Sequence, residues 1–273
     1  MNLNFPLGIL LLSFCSQAIA AGNLVTNSGF ESGLSGWHVW SRASGAATPA
    51  VDTSVVQSGK SALRLEHRGA QDWSLEPALS LDVQPGEIIQ LQCWVKVRGT
   101  GSATLCASTW ENEKKVVEWS AGDRTANEGP EWQHLVTRVV APANVRRIQP
   151  RLIGDGPATI WVDDFMVFRQ GTLAHMRAAG LPATLQLRNS ALDVTFNTLD
   201  ATLSVKDIKG GRRWTQKPFS VDLVVKDASV TKGRLKCELF DAGAGVDLSM
   251  TLQLDGDQPE LIVELAATGV MPR

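Results

Sequence analysis

Trp94 stands among Gln90, Gln92 and Lys96 at every second position of residues 88–97. This stretch follows the turn Gln84-Pro85-Gly86 and alternates apolar with polar residues, the period of a half-buried β-strand. Alternation assigns Ile89, Leu91, Cys93 and Val95 to the core and turns Gln90, Gln92, Trp94 and Lys96 the other way. A large indole flanked by amides on a non-core face suits sugar binding. The apolar C–H faces of a pyranose can lie on the ring while the amides hydrogen-bond its hydroxyls. If residues 103–110 pair with this strand, Ser108 and Trp110 join the same outer face, and two tryptophans and two glutamines line one groove. Trp40 and Trp119 are further candidates for loop or cleft positions, whereas Trp37, Trp132 and Trp161 read as packing residues.

Hydrolytic chemistry has less to build on. Asp163 and Asp164 are adjacent carboxylates, but neighbours on a strand point to opposite faces and cannot flank one bond. His38, His67, His134 and His175 are scattered, with no zinc spacing, and no nucleophile elbow occurs. Gly59-Lys60-Ser61 mimics the end of a phosphate-binding loop. Ser54 stands where that loop needs glycine, and residues 61–65 read as a strand rather than a helix, so the motif is a turn entering a strand.

The elements that must position these residues are short strands. Residues 103–110, 132–140 and 158–169 follow the strand at 88–97, separated by turns such as Arg98-Gly99-Thr100-Gly101 and Gly154-Asp155-Gly156-Pro157. Residues 171–180 alone read as helical and serve as a linker. Beyond them strands resume at 185–187, 192–196, 203–208, 220–226, 235–240, 246–254 and 260–265, with a hairpin turn at Lys209-Gly210-Gly211-Arg212. Many short strands with frequent turns point to sandwiches or jelly rolls rather than βαβ units. The 273 residues, 44% hydrophobic and 20% charged, suffice for two domains with cores of their own. A net charge of −2 without a basic block lacks the electrostatic footprint of a nucleic-acid binder.

The N-terminus reads as an export signal: an apolar run at residues 5–14, then Ala18-Ile19-Ala20 as a cleavage pattern. The run is too short to span a bilayer, and no later segment is long and apolar enough for a membrane helix. Leu12-Ser13-Phe14-Cys15 misses a lipid-attachment box, because Phe14 stands where a small residue is needed. The mature protein is expected outside the cytoplasm, secreted or periplasmic. Of its cysteines, Cys93 faces the core with Ile89 and Leu91. Cys106 lies opposite the face of Leu105 and Ala107, so the two are not expected to meet in a disulfide. Cys237 completes a set of expected buried thiols.

An ordered series of small motifs carries a family resemblance. Asn23-Leu24-Val25-Thr26-Asn27-Ser28-Gly29-Phe30-Glu31-Ser32-Gly33, then Gly36-Trp37, opens it. Ser58-Gly59-Lys60-Ser61-Ala62-Leu63 follows, then Gly86 with Leu91-Gln92-Cys93-Trp94-Val95-Lys96, Trp132, Ala141-Pro142, and Trp161-Val162-Asp163-Asp164-Phe165. From Asn23 to Phe168 the sequence resembles the carbohydrate-binding modules of families 4 and 9, jelly rolls attached to cellulases and xylanases. The absence of Tyr departs from their usual sugar-facing residues. The resemblance implies a structural Ca²⁺ where the first, second and closing strands meet. Glu31 and Asp163 are the carboxylates at matching positions, and carbonyls near Gly29 and Lys60 would complete a shell of six to eight oxygens.

More loosely, Leu192-Asp193-Val194-Thr195-Phe196, Thr202-Leu203-Ser204-Val205-Lys206-Asp207 and Gly211-Arg212-Arg213-Trp214 resemble the β-supersandwich that precedes the catalytic barrel of several glycoside hydrolases. The expected fold is therefore all-β: a signal at 1–20, a galactose-binding-like jelly roll at 21–170, a linker at 171–182, and a second antiparallel β-sandwich at 183–273. The expected partner is a polysaccharide or oligosaccharide, with no nucleic acid and no membrane span, and with any catalytic barrel absent from this chain. The functions that fit are non-catalytic targeting of a glycan-degrading enzyme, the N-terminal part of a glycoside hydrolase, or a cell-surface adhesion protein.

Overall fold

The computed structural model describes residues 22–218 and 223–268. The export signal read at residues 1–20 lies outside them. The first eleven strands are β1 (Trp37–Ser41), β2 (Ala47–Asp52), β3 (Ala62–His67), β4 (Trp73–Pro77), β5 (Leu81–Asp82), β6 (Glu87–Gly99), β7 (Ser102–Asn112), β8 (Lys115–Ala126), β9 (Gln133–Val140), β10 (Arg147–Asp155) and β11 (Ala158–Thr172). They form two antiparallel sheets. Sheet A has the order β1-β4-β10-β7-β8 with β5 on β10, and sheet B the order β2-β3-β11-β6-β9. The sheets bury one face each against the other, the arrangement of a jelly-roll sandwich. Leu63, Leu65, Leu91, Cys93, Val95, Ile160 and Val162 fill the core from sheet B, and Leu75, Leu105, Ile148 and Leu152 from sheet A. The alternation read at residues 88–97 holds: Ile89, Leu91, Cys93 and Val95 are fully buried.

One expected pairing is corrected. β6 pairs with β11 and β9, and β7 pairs with β10 and β8, so the strands at 88–97 and 103–110 belong to different sheets. Residues 100–101 do not close a hairpin; they carry the chain across the sandwich from sheet B to sheet A. The crossing needs backbone in close approach. Gly99 is at φ 117, and a side chain on Gly101 would overlap the carbonyl oxygens of Asp155 and Gly156. The strands β1, β2, β4, β5, β8 and β10 were not read in the sequence pattern. β10 holds Pro150, which a central strand normally excludes. Its partners β4 and β5 meet it only at residues 152–154 and 147–148, so Pro150 falls where the strand is paired on one side alone.

The opening motif folds on itself. Asn27 adopts φ 54; its Oδ1 accepts Ser32 N–H at 2.9 Å, and its Nδ2 donates to Gly33 O at 2.9 Å and Ser35 O at 3.0 Å. The Trp37 indole N–H donates to Asn27 O at 3.1 Å, and its ring packs on Phe30 and Phe165 at centroid distances of 4.7 and 5.3 Å. Trp37 is thus a packing residue, as read.

A four-residue helix α1 (Leu173–Met176) opens the linker, which is fastened at both ends. Leu173 and Met176 pack with Phe240 on a small apolar cluster of Ile88, Val140 and Ala242. Arg177 donates to Thr198 and to Leu181 O, and Ala178 N–H to Lys226 O. The second domain is an antiparallel sandwich. Its sheet C is β12 (Thr184–Arg188), β13 (Leu192–Asn197), β14 (Thr202–Asp207) and β15 (Arg213–Thr215). Its sheet D is β16 (Leu223–Thr231), β17 (Arg234–Asp241), β18 (Val246–Leu254) and β19 (Leu261–Thr268). Leu187, Val194, Phe196, Leu235, Leu239 and Leu252 make its core. The inner-face rows continue to Trp214 beyond Val205, and to Leu265 and Val263 beyond Met250 and Leu252. Among the described residues nothing covers this end of the rows, and Trp214, Val263 and Leu265 are exposed.

Cys93, Cys106 and Cys237 are free and buried. Burial pushes the Cys106 thiol up to about 11 and the Cys237 thiol up to about 12. Thiolate is the reactive form, so neither should react with a thiol reagent at pH 8 in the folded protein. Peptide mapping after labelling should find all three modified only when the chain is first denatured. For the crossing, Gly101→Ala should lower stability by about 1–3 kcal/mol, the usual cost of overpacking, read as the urea midpoint. An unchanged midpoint would contradict the close approach.

Candidate functional site

The outer face of sheet A holds a cleft of about 730 Å³. Register places His38 and Trp40 of β1, Ser74 and Glu76 of β4, and Gln149, Arg151 and Ile153 of β10 on this face, with Thr104, Ser108 and Trp110 of β7 beside them. Trp119 of β8 closes the far wall. Trp40 is 45% and Trp119 58% exposed, high values for indoles and on opposite walls of one cleft.

Each indole is held by an arginine. Arg151 lies 5.3 Å from the Trp119 ring centroid and donates to the Trp119 carbonyl. Its guanidinium is fixed from the other side by Glu76 at 3.6 Å, and Gln149 donates to Glu76 Oε2 at 2.9 Å. Trp110 meets Trp119 edge-on at 5.6 Å and donates its N–H to Ser108 Oγ at 3.0 Å, while Arg147 lies 5.0 Å over it. On the opposite wall Arg42 sits 5.8 Å from Trp40 and forms a two-pronged pair with Asp72. Hydrogen bonding from Arg42 holds the Asp72 carboxyl below its ordinary range. Asp155 accepts from Ser102 at 3.0 Å. The carboxylates of the cleft are therefore engaged as fixed acceptors, and no catalytic acid–base pair is evident among the described residues. Gly154 leaves room for the buried Trp73 beneath it, whose indole N–H meets no acceptor among the described residues.

The expected site residues divide between two faces. Trp110, Trp40 and Trp119 gather on sheet A. Trp94, Gln92 and Gln90 lie on the outer face of sheet B, as alternation requires, so the single groove expected to join Trp94 and Trp110 does not form. Trp94 stacks on His134 at 4.5 Å with the rings 20° apart. Gln90 donates to Gln92 Oε1 at 3.1 Å, and Gln92 to the Met166 sulfur at 3.6 Å, so these amides are engaged with protein neighbours. Trp161, on the same sheet, donates its N–H to Asp52 Oδ2 at 2.9 Å. That bond, with one from Ser54, holds the Asp52 carboxyl well below its ordinary range. Sequence reasoning missed Arg42, Asp72, Glu76, Gln149 and Arg151. The spacing His38-x-Trp40-x-Arg42 and Arg147-x-Gln149-x-Arg151 is the signal that would have put them on common faces.

The four residues expected around calcium come from three segments, the opening motif, the loop at 57–61 and β11, and meet at that loop. Glu31 Oε1 accepts the N–H groups of Lys60 and Ser61 at 2.7 and 3.1 Å. Asp163 Oδ2 accepts those of Gln57 and Ser58 at 3.0 and 3.1 Å, and its Oδ1 that of Asp164 at 2.8 Å. Burial raises the Asp163 carboxyl while these N–H groups oppose the rise. Carboxylates turned onto amide donors are not arranged as a shell of six to eight oxygens. No group of three or more His, Cys, Asp or Glu suited to a metal occurs among the described residues. Both carboxylates serve amide donors in this arrangement. Strict alternation also fails here. Asp164 has φ 48 at a register shift, and both Asp163 Oδ1 and Asp164 Oδ1 lie 3.6 Å from where a Cβ on Gly29 would stand.

No curated protein matches the chain. Several solved structures resemble part of it. The enzymatically active domain of tailspike protein 4 of bacteriophage CBA120 is 14% identical, with TM-score 0.46 over 54% of this chain and 21% of that one, so the chain spans about a fifth of that protein's length. TmCBM61, solved in complex with β-1,4-galactotriose, is 20% identical, with TM-score 0.40 over 54% of this chain and 98% of that one. The C-terminal family 22 carbohydrate binding module of Clostridium thermocellum Xyn10B is 14% identical, with TM-score 0.43 over 53% of this chain and 92% of that one. Residues 22–157 match the carbohydrate binding domain family CBM_4_9, so the chain has an N-terminal CBM_4_9-like jelly-roll domain, followed by a second antiparallel β-sandwich.

Proposed function

We propose that the chain binds a glycan in the cleft of sheet A, without cutting it, and that it is exported and brings a glycan-degrading enzyme to its substrate. The observation behind this reading is the pair of half-exposed indoles, Trp40 and Trp119, on opposite walls of one open cleft. Indoles give broad apolar platforms for the C–H faces of pyranose rings. Their arginine and carboxylate neighbours are fixed before any ligand arrives, which lowers the ordering cost of binding. Acceptors on Glu76 and Asp155 and the guanidinium of Arg151 can then meet the hydroxyls between the stacked rings. Holding an enzyme at a polymer raises its local concentration there, and this is what a non-catalytic module adds.

The outer face of sheet B, with Trp94, Gln92 and Gln90, is the rival surface. It is the weaker platform because His134 covers one face of Trp94 and the two amides are already engaged. Single alanine variants separate the two. Trp119→Ala and Trp40→Ala should each weaken glycan binding about tenfold or more, equivalent to about 1.4 kcal/mol, with little change in melting temperature. Trp94→Ala should leave affinity intact. The opposite pattern, measured by calorimetry against a glycan selected on an array, would move the site to sheet B. Release of reducing sugars by the purified chain would overturn the non-catalytic reading.

A further inference from the structure

The outer face of sheet D ends in a groove of about 410 Å³ lined by Ser229, Thr231, Lys232, Arg234, Lys236 and Gln253. Register puts Thr231, Arg234 and Gln253 in one row across β16, β17 and β18, and Ser229 and Lys236 in the next. Arg234 and Lys236 are two residues apart on one face, so their side chains leave the sheet about 7 Å apart. No carboxylate lines the groove. Among the described residues none of the three cations is in an ion pair, unlike Lys226 on the same sheet, which bridges Asp247 at 3.0 Å. Arg234 is instead oriented by a neutral group. Its Nε donates to Gln253 Oε1 at 3.0 Å and its Nη2 to the same oxygen, which fixes the guanidinium without cancelling its charge.

The third cation stands at a strained position. Lys232 and Gly233 form the two-residue turn between β16 and β17, with φ 51 and φ 72. Such turns favour Asn-Gly or Asp-Gly, and a lysine in the left-handed region costs energy that asparagine would largely avoid. Asparagine or aspartate there would remove or reverse the charge. The lysine keeps an ammonium at the mouth of a groove that already holds two cations, in a chain of net charge −2.

We propose that this groove is a second binding site, selective for anionic glycans: chains bearing uronate carboxylates or sulfate groups. The guanidinium and the two ammonium groups take the charged substituents, and Ser229, Thr231 and Gln253 take neighbouring hydroxyls. The site is separate from the cleft of sheet A. The choice of a glycan among polyanions rests on the glycan-binding reading of the first domain.

The test uses the whole chain in affinity electrophoresis and calorimetry. Probes are polygalacturonate, dextran sulfate, and duplex DNA matched to them in charge. The Lys232→Gln, Arg234→Gln, Lys236→Gln triple variant changes only exposed side chains and should keep the wild-type melting temperature. It should bind polygalacturonate or dextran sulfate about tenfold more weakly. Wild-type binding should itself weaken about tenfold between about 50 and 300 mM NaCl. Trp40→Ala with Trp119→Ala should leave it unchanged. This pattern supports the site even if no neutral glycan binds, in which case only the cleft reading falls. Loss in the tryptophan variant with retention in the triple variant would overturn the site. So would a wild-type chain that binds neither acidic polymer at 50 mM NaCl. DNA binding as tight as that of the acidic glycans, with the same loss in the triple variant, would overturn the glycan assignment.

Discussion

Two residues carry the chain from one sheet of the jelly roll to the other, and they can do so only because the backbone at Gly101 comes against the carbonyls of Asp155 and Gly156. A Cβ there would push apart the β6–β7 crossing and the β10–β11 turn at once. The consequences reach the cleft. Because β7 lands on sheet A rather than beside β6, Trp110 meets Trp119 of the neighbouring β8, and Arg147 and Arg151 of β10 come to lie over those two rings. Had the same residues closed a hairpin, Trp110 would lie on the outer face of sheet B with Trp94, and the cleft would lose a wall. A steric allowance at one glycine thus decides which tryptophans share a surface.

A second constraint fixes the opposite end of the sandwich. Two carboxylates, Glu31 and Asp163, spend their lone pairs on backbone N–H groups of residues 57–61 and on Asp164. That loop has no ladder of its own to satisfy these donors, and buried amides without acceptors are costly. The family motifs read in sequence therefore explain the scaffold more than the ligand. Asn27, Phe30, Trp37, Glu31 and Asp163 all serve the closure of the loops, and none lines the cleft.

The fold was more legible than the site, for reasons visible in particular residues. At 89–97 every inward residue is aliphatic or Cys and every outward one polar or aromatic, so period two shows plainly. β8 gives no such pattern: Val116, Val117, Trp119 and Ala121 do not keep to one face, and register shifts interrupt its pairing with β7. β10 is masked by Pro150. With those strands unread, the acidic and basic neighbours of Trp40 and Trp119 could not be placed. Alternation also says which face a side chain takes but not which sheet the strand joins, and the sheet decides whether Trp94 and Trp110 can meet. At Asp163 and Asp164 it fails outright, because a bulge with one residue in the left-handed region turns both carboxylates toward Gly29.

The open side of the second sandwich has a consequence for how its stability is distributed. Trp214, Val263 and Leu265 lie on inner-face rows but remain exposed, so folding removes little of their surface from water and they contribute little to the free energy that holds β15 and β19 in place. Among the described residues both strands are also paired on one side only. Their amides are closest to the reach of local opening, whereas those of β13, β17 and β18 lie over Phe196, Leu239 and Leu252 and open only when the domain does. In hydrogen–deuterium exchange the domain is therefore graded from one side to the other, fast at β15 and β19 and slow at its centre.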